Sequence, residues 1–221
     1  MKTTVVAATM NEIDGVRAVL PRIDRSVIDE VIVVDLNSTD GTREYAESQG
    51  CRVIRQRSQG YANAFKEGIA AASGDIIIEF QPDGNSIPEK IPELLAKLRE
   101  GNDLVIASRY LPGASSFDDD AVTAFGNRLF TFAANLLFGM HLTDVLIGYR
   151  AFRKAAYETL HIDANGLAWC IQLPVQFAKR GYRIAEIPSD EPKRIGGVRK
   201  MHPLRTGLQV LGVLLKETMR K

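Results

Sequence analysis

The stretch Ala72–Leu95, ASGDIIIEFQPDGNSIPEKIPELL, decides the fold. Ile76–Ile78 is a continuous β-branched run, which implies a strand buried on both faces rather than one with a solvated side. Polar punctuation follows at once in Gln81, Asp83 and Asn85, and Pro88 and Pro92 stand where proline suits the first turn of a helix. Asp83, with the amide oxygens of Gln81 and Asn85, can offer a loop site to Mg2+ or Mn2+, hard cations that take oxygen ligands and often only one or two carboxylates from a protein. Pro-Asp-Gly and Gly-Asn-Ser are also ordinary turn chemistry, so the neighbours of the loop must decide.

Those neighbours repeat the pattern. TTVVAA from Thr3, VIVVDL from Val31, CRVIRQ from Cys51 and DLVIAS from Asp103 read as further strands with amphipathic stretches between them. That alternation is the mark of an α/β chain with a mostly parallel sheet flanked by helices. In such sheets ligands gather at the carboxyl ends of the strands. Here those ends carry Asn11 and Glu12, then Asp35 with the turn NSTDGT, then QPDGNSIPE. Part of this has a structural role as well: Asn11 and Glu12 can cap the first helix, and Asp40 or Ser38 the next, with Gly41 easing the turn.

After Leu111 the pattern changes to an acidic loop, FDDDAV, a helix near Val122–Phe138, a strand-like GYRAFR, a helix near Trp169–Lys179, the strand YRIAEIP, a basic segment and a last helix from about Leu204. Lys193, Arg194, Arg199, Lys200 and Arg205 follow one another without an intervening acid, which favours phosphate contact. Leu204, Leu208, Leu211 and Leu215 fall on one stripe of the last helix, suited to lying on a membrane surface, to packing on the core or to a homodimer or membrane partner.

Composition sets the outer limits. The chain of 221 residues, 45% hydrophobic and 25% charged, fits one domain, 1–221. Lys and Arg number 28 against 27 Asp and Glu, a balance that gives no reason to expect nucleic acid. Cys51 and Cys170 stand apart without metal-ligand or disulfide spacing and fit a reducing, cytoplasmic setting. Phe130–Met140, the longest apolar candidate, is broken by Thr131 and Asn135 and is too short to span a bilayer. His141, His161, His202 and Trp169 show no metal or triad spacing and read as structural.

The motifs together resemble glycosyltransferase family 2, in its dolichol/polyprenyl-phosphate mannose synthase-like branch. AATMNE (Ala7–Glu12) is similar to the family's P-x-Y-N-E, VVDLNSTDGT (Val33–Thr42) to V-V-D-D-x-S-x-D-G-T, and QPD (Gln81–Asp83) to the D-x-D loop. IASRY, TDVLIGYRAF and EIPSDEPKRIGGVRK (Glu186–Lys200) continue the likeness over almost the whole chain. The resemblance implies a GT-A Rossmann-like fold, with 1–111 as nucleotide-sugar-binding half and 112–221 as acceptor-side extension ending in a helix. It implies that Thr9, Asn11, Glu12 and Asp35 hold the base and ribose of a UDP- or GDP-sugar, and that Gln81, Asp83 and Asn85 hold a divalent metal. Arg109, Arg194 and Lys200 would approach the diphosphate or acceptor, with Asp83, Asp144, Arg109 and Lys200 the catalytic set. Arg150 reads either as functional or as a structural partner of Asp144.

Its implied chemistry is inverting, in-line displacement at the anomeric carbon by a polyprenyl phosphate, which is already largely anionic near neutral pH and needs no strong base. Departures from the family pattern keep other readings open. Gln81 replaces the first aspartate of D-x-D, Leu36 the second of V-D-D, and Arg199 the serine of R-x-x-G-x-S-K. Asp118, Asp119 and Asp120 stand where an arginine is usual, and would repel a lipid phosphate at close range. A soluble or polysaccharide hydroxyl acceptor, as in glucosyl-phosphoglycerate synthase-like chemistry with Asp144 or Asp118–Asp120 as base, is one alternative. A catalytically silent nucleotide-sugar-binding scaffold is another, and a nucleotidyltransferase ranks last for want of a glycine-rich pyrophosphate loop.

Overall fold

Ile76–Phe80 form β4, buried at every position, and the strand lies in the middle of the sheet, where a run without polar alternation belongs. The computed structural model describes residues 1–196 and 201–220. Its other strands are β1 (Thr3–Thr9), β2 (Glu30–Asp35), β3 (Arg52–Arg55), β5 (Leu104–Ser108), β6 (Arg150–Arg153) and β7 (Ile184–Pro188). They form one sheet in the order β3-β2-β1-β4-β6-β5-β7, in which only β6 runs antiparallel to its neighbours. The helices are α1 (Ile13–Val19), α2 (Thr42–Ser48), α3 (Tyr61–Ala71), α4 (Ile91–Arg99), α5 (Ala121–Phe138), α6 (Lys154–Tyr157), α7 (Trp169–Lys179) and α8 (Pro203–Met219).

From β1 the chain moves outward to β2 and β3, then returns to place β4 on the other side of β1. That reversal opens a crevice beyond the carboxyl ends of β1 and β4, where a doubly wound sheet binds ligands. Small residues keep its walls close. A Cβ on Gly15 in α1 would lie 2.3 Å from the Pro82 carbonyl oxygen and 2.9 Å from Asp83 Cα, so only glycine lets α1 abut the loop after β4.

Cap expectations are partly corrected. Neither the Asn11 nor the Glu12 side chain caps α1; Asp40, from the turn before α2, accepts the Ile13 N–H at 3.0 Å and also the Thr42 N–H that opens α2. Ser38 instead donates to Asp35 and accepts the Asn11 N–H at 2.8 Å. One turn thereby stitches the ends of β1 and β2 together.

A second correction concerns Arg150. Its partner is Glu79 on the adjacent β4, with Nε 2.8 Å from Oε2 and both side chains wholly buried, and not Asp144. Trp169 Nε1 donates to the other Glu79 oxygen at 2.9 Å, and Arg150 Nη1 donates to the Cys170 carbonyl at 3.0 Å. Register explains the pairing: antiparallel β4 and β6 set Glu79 directly opposite Arg150.

Helix α8 is held by its final turns. Glu217 accepts from Gln172 at 2.7 Å and Gln176 at 2.6 Å of α7, and Lys216 and Arg220 both reach Asp163 at 2.6 Å. These ties fix which face of α8 looks outward.

Candidate active site

A cavity of about 560 Å³ lies at the crevice. The end of β1 and the loops after β1, β2 and β4 supply Thr9, Glu12, Leu36 and Asp83, while Asn127 of α5 and Gln209 of α8 close the opposite side.

On the β1–β2 side, Thr9 Oγ1 donates to Asp35 Oδ1 at 3.0 Å, and Ser38 donates to the same carboxylate from both its N–H and its hydroxyl. Asp35 is fully buried and absent from the cavity wall; Leu36 stands there instead. Asn11, at φ 54°, accepts the Thr39 N–H at 2.9 Å and is exposed outside the cavity. Of the four residues expected around base and ribose, Thr9 and Glu12 line the cavity, while Asn11 and Asp35 shape the loops around it.

The loop after β4 bends at Gly84 (φ 95°) and presents Asp83. Asp83 Oδ1 accepts the Asn85 N–H at 3.1 Å, and Oδ2 lies 2.6 Å from Arg194 Nη2. Arg194 also meets Glu12 Oε1 at 3.3 Å, and its backbone N–H donates to Asp118 Oδ1 at 3.2 Å. Burial raises the Asp83 carboxyl above the ordinary range, against the pull of Arg194 and with the help of nearby Asp118. Gln81 Nε2 donates to the Tyr61 hydroxyl at 2.8 Å and Asn85 Nδ2 to the Pro192 carbonyl at 2.7 Å, so both amide oxygens remain as donor atoms for a cation.

Across the cavity, Arg109 grips Asp144 with two parallel bonds, Nε to Oδ2 at 2.7 Å and Nη2 to Oδ1 at 3.0 Å. Its remaining nitrogen reaches Glu191 at 3.2 Å and Asp119 at 3.3 Å. Burial opposes the ionised form of Asp144, yet Arg109 holds its pKa below the usual aspartate range. A wholly buried carboxylate gripped by an arginine and by Asn127 at 2.8 Å is a poor general base; its geometry suits orienting Arg109. Glu191, by contrast, has its pKa raised by burial despite Arg109. Lys200 lies outside the described residues, as does Arg199.

Sequence reasoning did not single out Glu191, although it lies within EIPSDEPKRIGGVRK, or Tyr61; His202, read as structural, also lines the cavity. Glu191 follows a proline-ended strand, and the parallel pairing of β5 and β7, with the bridge between Ser116 and Glu191, brings it to Arg109.

Comparison with known proteins identifies the family and the fold. The model of glycosyl transferase family 2 matches residues 4–160. The chain belongs to glycosyltransferase family 2. It is 32% identical to the dolichyl-phosphate hexose transferase of Haloferax volcanii, over 98% of this chain and 95% of that one. It is 28% identical to the undecaprenyl-phosphate mannosyltransferase of Micrococcus luteus, over 96% and 93%. Among solved structures, glucosyl-3-phosphoglycerate synthase from Mycobacterium tuberculosis, in complex with Mn2+, UDP-glucose and phosphoglyceric acid, superposes with a TM-score of 0.78 at 26% identity, covering 99% of this chain and 80% of that one. The fold of this glycosyltransferase is therefore GT-A, and the protein is an enzyme of the hexosyltransferase type.

Chemistry of the donor atoms supports a divalent cation in this family 2 site. Glu12 and Asp83 both meet the Arg194 guanidinium, at Nη1 and Nη2, and the Gln81 and Asn85 oxygens stand nearby in sequence. Two carboxylates with substrate phosphates are a sufficient set for Mg2+ or Mn2+.

Proposed function

We propose that this glycosyltransferase moves a hexose from a nucleoside diphosphate donor to a polyprenyl phosphate held in a membrane surface. Residues 1–111 form the donor half of one domain and 112–221 its acceptor half. The observation that carries this reading is the double use of α5 and α8. Their inner faces, with Thr123, Asn127, Thr206 and Gln209, wall the cavity, while their outer faces expose Phe125 at 68%, Phe132 at 66%, Leu204 at 87% and Leu208 at 72%. A lipid acceptor needs this combination, a polar site reached across an apolar ledge. No described helix is long and apolar enough to cross a membrane, so docking would be peripheral.

Thr9 and Glu12 would hold the nucleoside; Asp83, with Glu12 and the Gln81 and Asn85 oxygens, would hold Mg2+ or Mn2+, which neutralises the leaving diphosphate. Arg194 and Lys200 would add cationic contact, and Arg109, oriented by Asp144, would steady the acceptor side. The phosphate nucleophile is anionic without a base. Five carboxylates on the cavity wall, Glu12, Asp83, Asp118, Asp119 and Glu191, face three arginines, Arg109, Arg194 and Arg205, among the described residues. That acidity favours a second reading, a hydroxyl acceptor with Asp118 as base, for which the phosphoglycerate complex of the structural relative is a precedent.

The deciding experiment offers UDP- and GDP-hexoses labelled in the sugar, with polyprenyl phosphate vesicles in one arm and 3-phosphoglycerate in the other. Label in the organic phase supports the lipid acceptor. Label found only in the phosphoglycerate product would replace that acceptor with the second reading.

A further inference from the structure

The donor site already holds a cation of its own. Arg194 lies on Asp83 at 2.6 Å and on Glu12 at 3.3 Å, the two carboxylates proposed above for the metal. Its placement is built into the backbone on both sides. The Ile195 N–H donates to the Asp83 carbonyl at 2.7 Å, Asn85 Nδ2 donates to the Pro192 carbonyl, and the Arg194 N–H donates to Asp118. The Ile195 side chain rests directly over Gly84, where an added Cβ would meet Ile195 Cγ1 at 2.7 Å. Residues 192–195 are therefore seated on the loop that carries Asp83, with the guanidinium inserted between the acids.

A carboxylate oxygen 2.6 Å from a guanidinium nitrogen has no room for a metal ion on the same side. We propose that Arg194 and the divalent cation are alternative partners of Asp83, so that the enzyme takes up metal only together with a nucleoside diphosphate. This rests on the reading of Asp83 as the metal ligand. Competition lowers the metal affinity of the free protein by the fraction of molecules in which Arg194 has left Asp83. A diphosphate removes that penalty from both sides: it brings oxygen ligands for the metal and a new anionic partner for the arginine. Arg194 is thus a positioning residue that sets the order of metal and donor binding.

The test is Mn2+ binding read by loss of the free-ion electron paramagnetic resonance signal, on full-length wild type, Arg194→Ala and Arg194→Gln, each with and without UDP or GDP. Thermal unfolding verifies that each variant is folded, and Arg194→Gln keeps most of the side chain's packing should the alanine fail. Arg205→Gln removes the same charge from the same cavity without touching a partner of Asp83. The expected result is weak Mn2+ uptake by nucleotide-free wild type, uptake tightened about tenfold or more in both Arg194 variants but not in Arg205→Gln, and a wild-type affinity restored by nucleotide. Adding Asp83→Asn to Arg194→Ala should abolish the gain. Nucleotide-free wild type binding Mn2+ as tightly as the Arg194 variants would overturn the competition while leaving Asp83 as a ligand. No Mn2+ uptake by any form, nucleotide included, would overturn both the competition and the metal reading.

Discussion

On the proposed reading, donor chemistry turns on Asp83. Asp83→Asn keeps the size and the acceptor for the Asn85 N–H but removes the charge, so transfer should fall about 10²–10³-fold in kcat/KM while the unfolding temperature changes little. Retention of full activity by the folded variant would reject the role. The raised Asp83 carboxyl also sets a pH dependence. Metal requires the ionised form, so as pH falls through the raised value, affinity for metal with nucleotide should weaken at a pH above the ordinary aspartate value of 3.8. The same sign makes protonation favour the folded state, so lost binding over that range would not reflect unfolding. A different outcome awaits the Glu79–Arg150 pair, which is wholly buried and touches no cavity wall. Arg150→Met leaves Glu79 without its counter-ion and should cost about 3–5 kcal/mol in denaturant unfolding, the usual penalty of breaking a buried pair. Unchanged stability would show that Trp169 alone satisfies Glu79.

Among the elements, α5 departs most from what its sequence announces. The strands were legible because buried β-branched runs such as Ile76–Ile78 have few alternatives, and the polar residues after them marked the edge where the cavity lies. The antiparallel direction of β6 was not, since a short apolar run carries no direction and needs its neighbours to acquire one. Arg150's partner followed the same rule: Glu79 is found only through register. α5 is apolar on nearly every side, a pattern that reads as a buried helix, yet it exposes Phe125, Leu129, Phe132 and Leu136. Leu204 and Leu208, by contrast, were visible as a stripe, and only their freedom from the core was unknown. Changing both to aspartate should leave thermal stability nearly unaltered, because neither is buried, while abolishing sedimentation with anionic vesicles. Large destabilisation would mean that the stripe serves packing rather than docking.

At the scale of the whole molecule, the cavity and the apolar ledge share two helices, so under the proposed lipid acceptor binding to a surface and turnover would be one geometric event. An enzyme anchored on a vesicle meets its acceptor in two dimensions and responds to the acceptor's mole fraction in the lipid, not to its bulk concentration. Carrier lipid added at fixed amounts of enzyme, donor and polyprenyl phosphate should therefore lower the rate in proportion to the dilution, once all the enzyme is bound. An acceptor captured from water would give a rate that carrier lipid leaves alone. Charge would contribute separately: Lys193 precedes the α8 ledge in sequence, and any attraction of it to anionic lipid would be screened within about 8 Å at physiological salt. Raising salt should thus weaken initial docking, while the dilution effect, which depends on the exposed leucines and phenylalanines, persists at saturating lipid. The Leu204→Asp, Leu208→Asp variant separates the two requirements. It should lose turnover on vesicles yet transfer to a short-chain, water-soluble isoprenyl phosphate at a rate close to wild type, because the polar wall of the cavity is untouched. Equal loss on both acceptors would place those leucines in the acceptor site itself rather than on the surface that brings the enzyme to it.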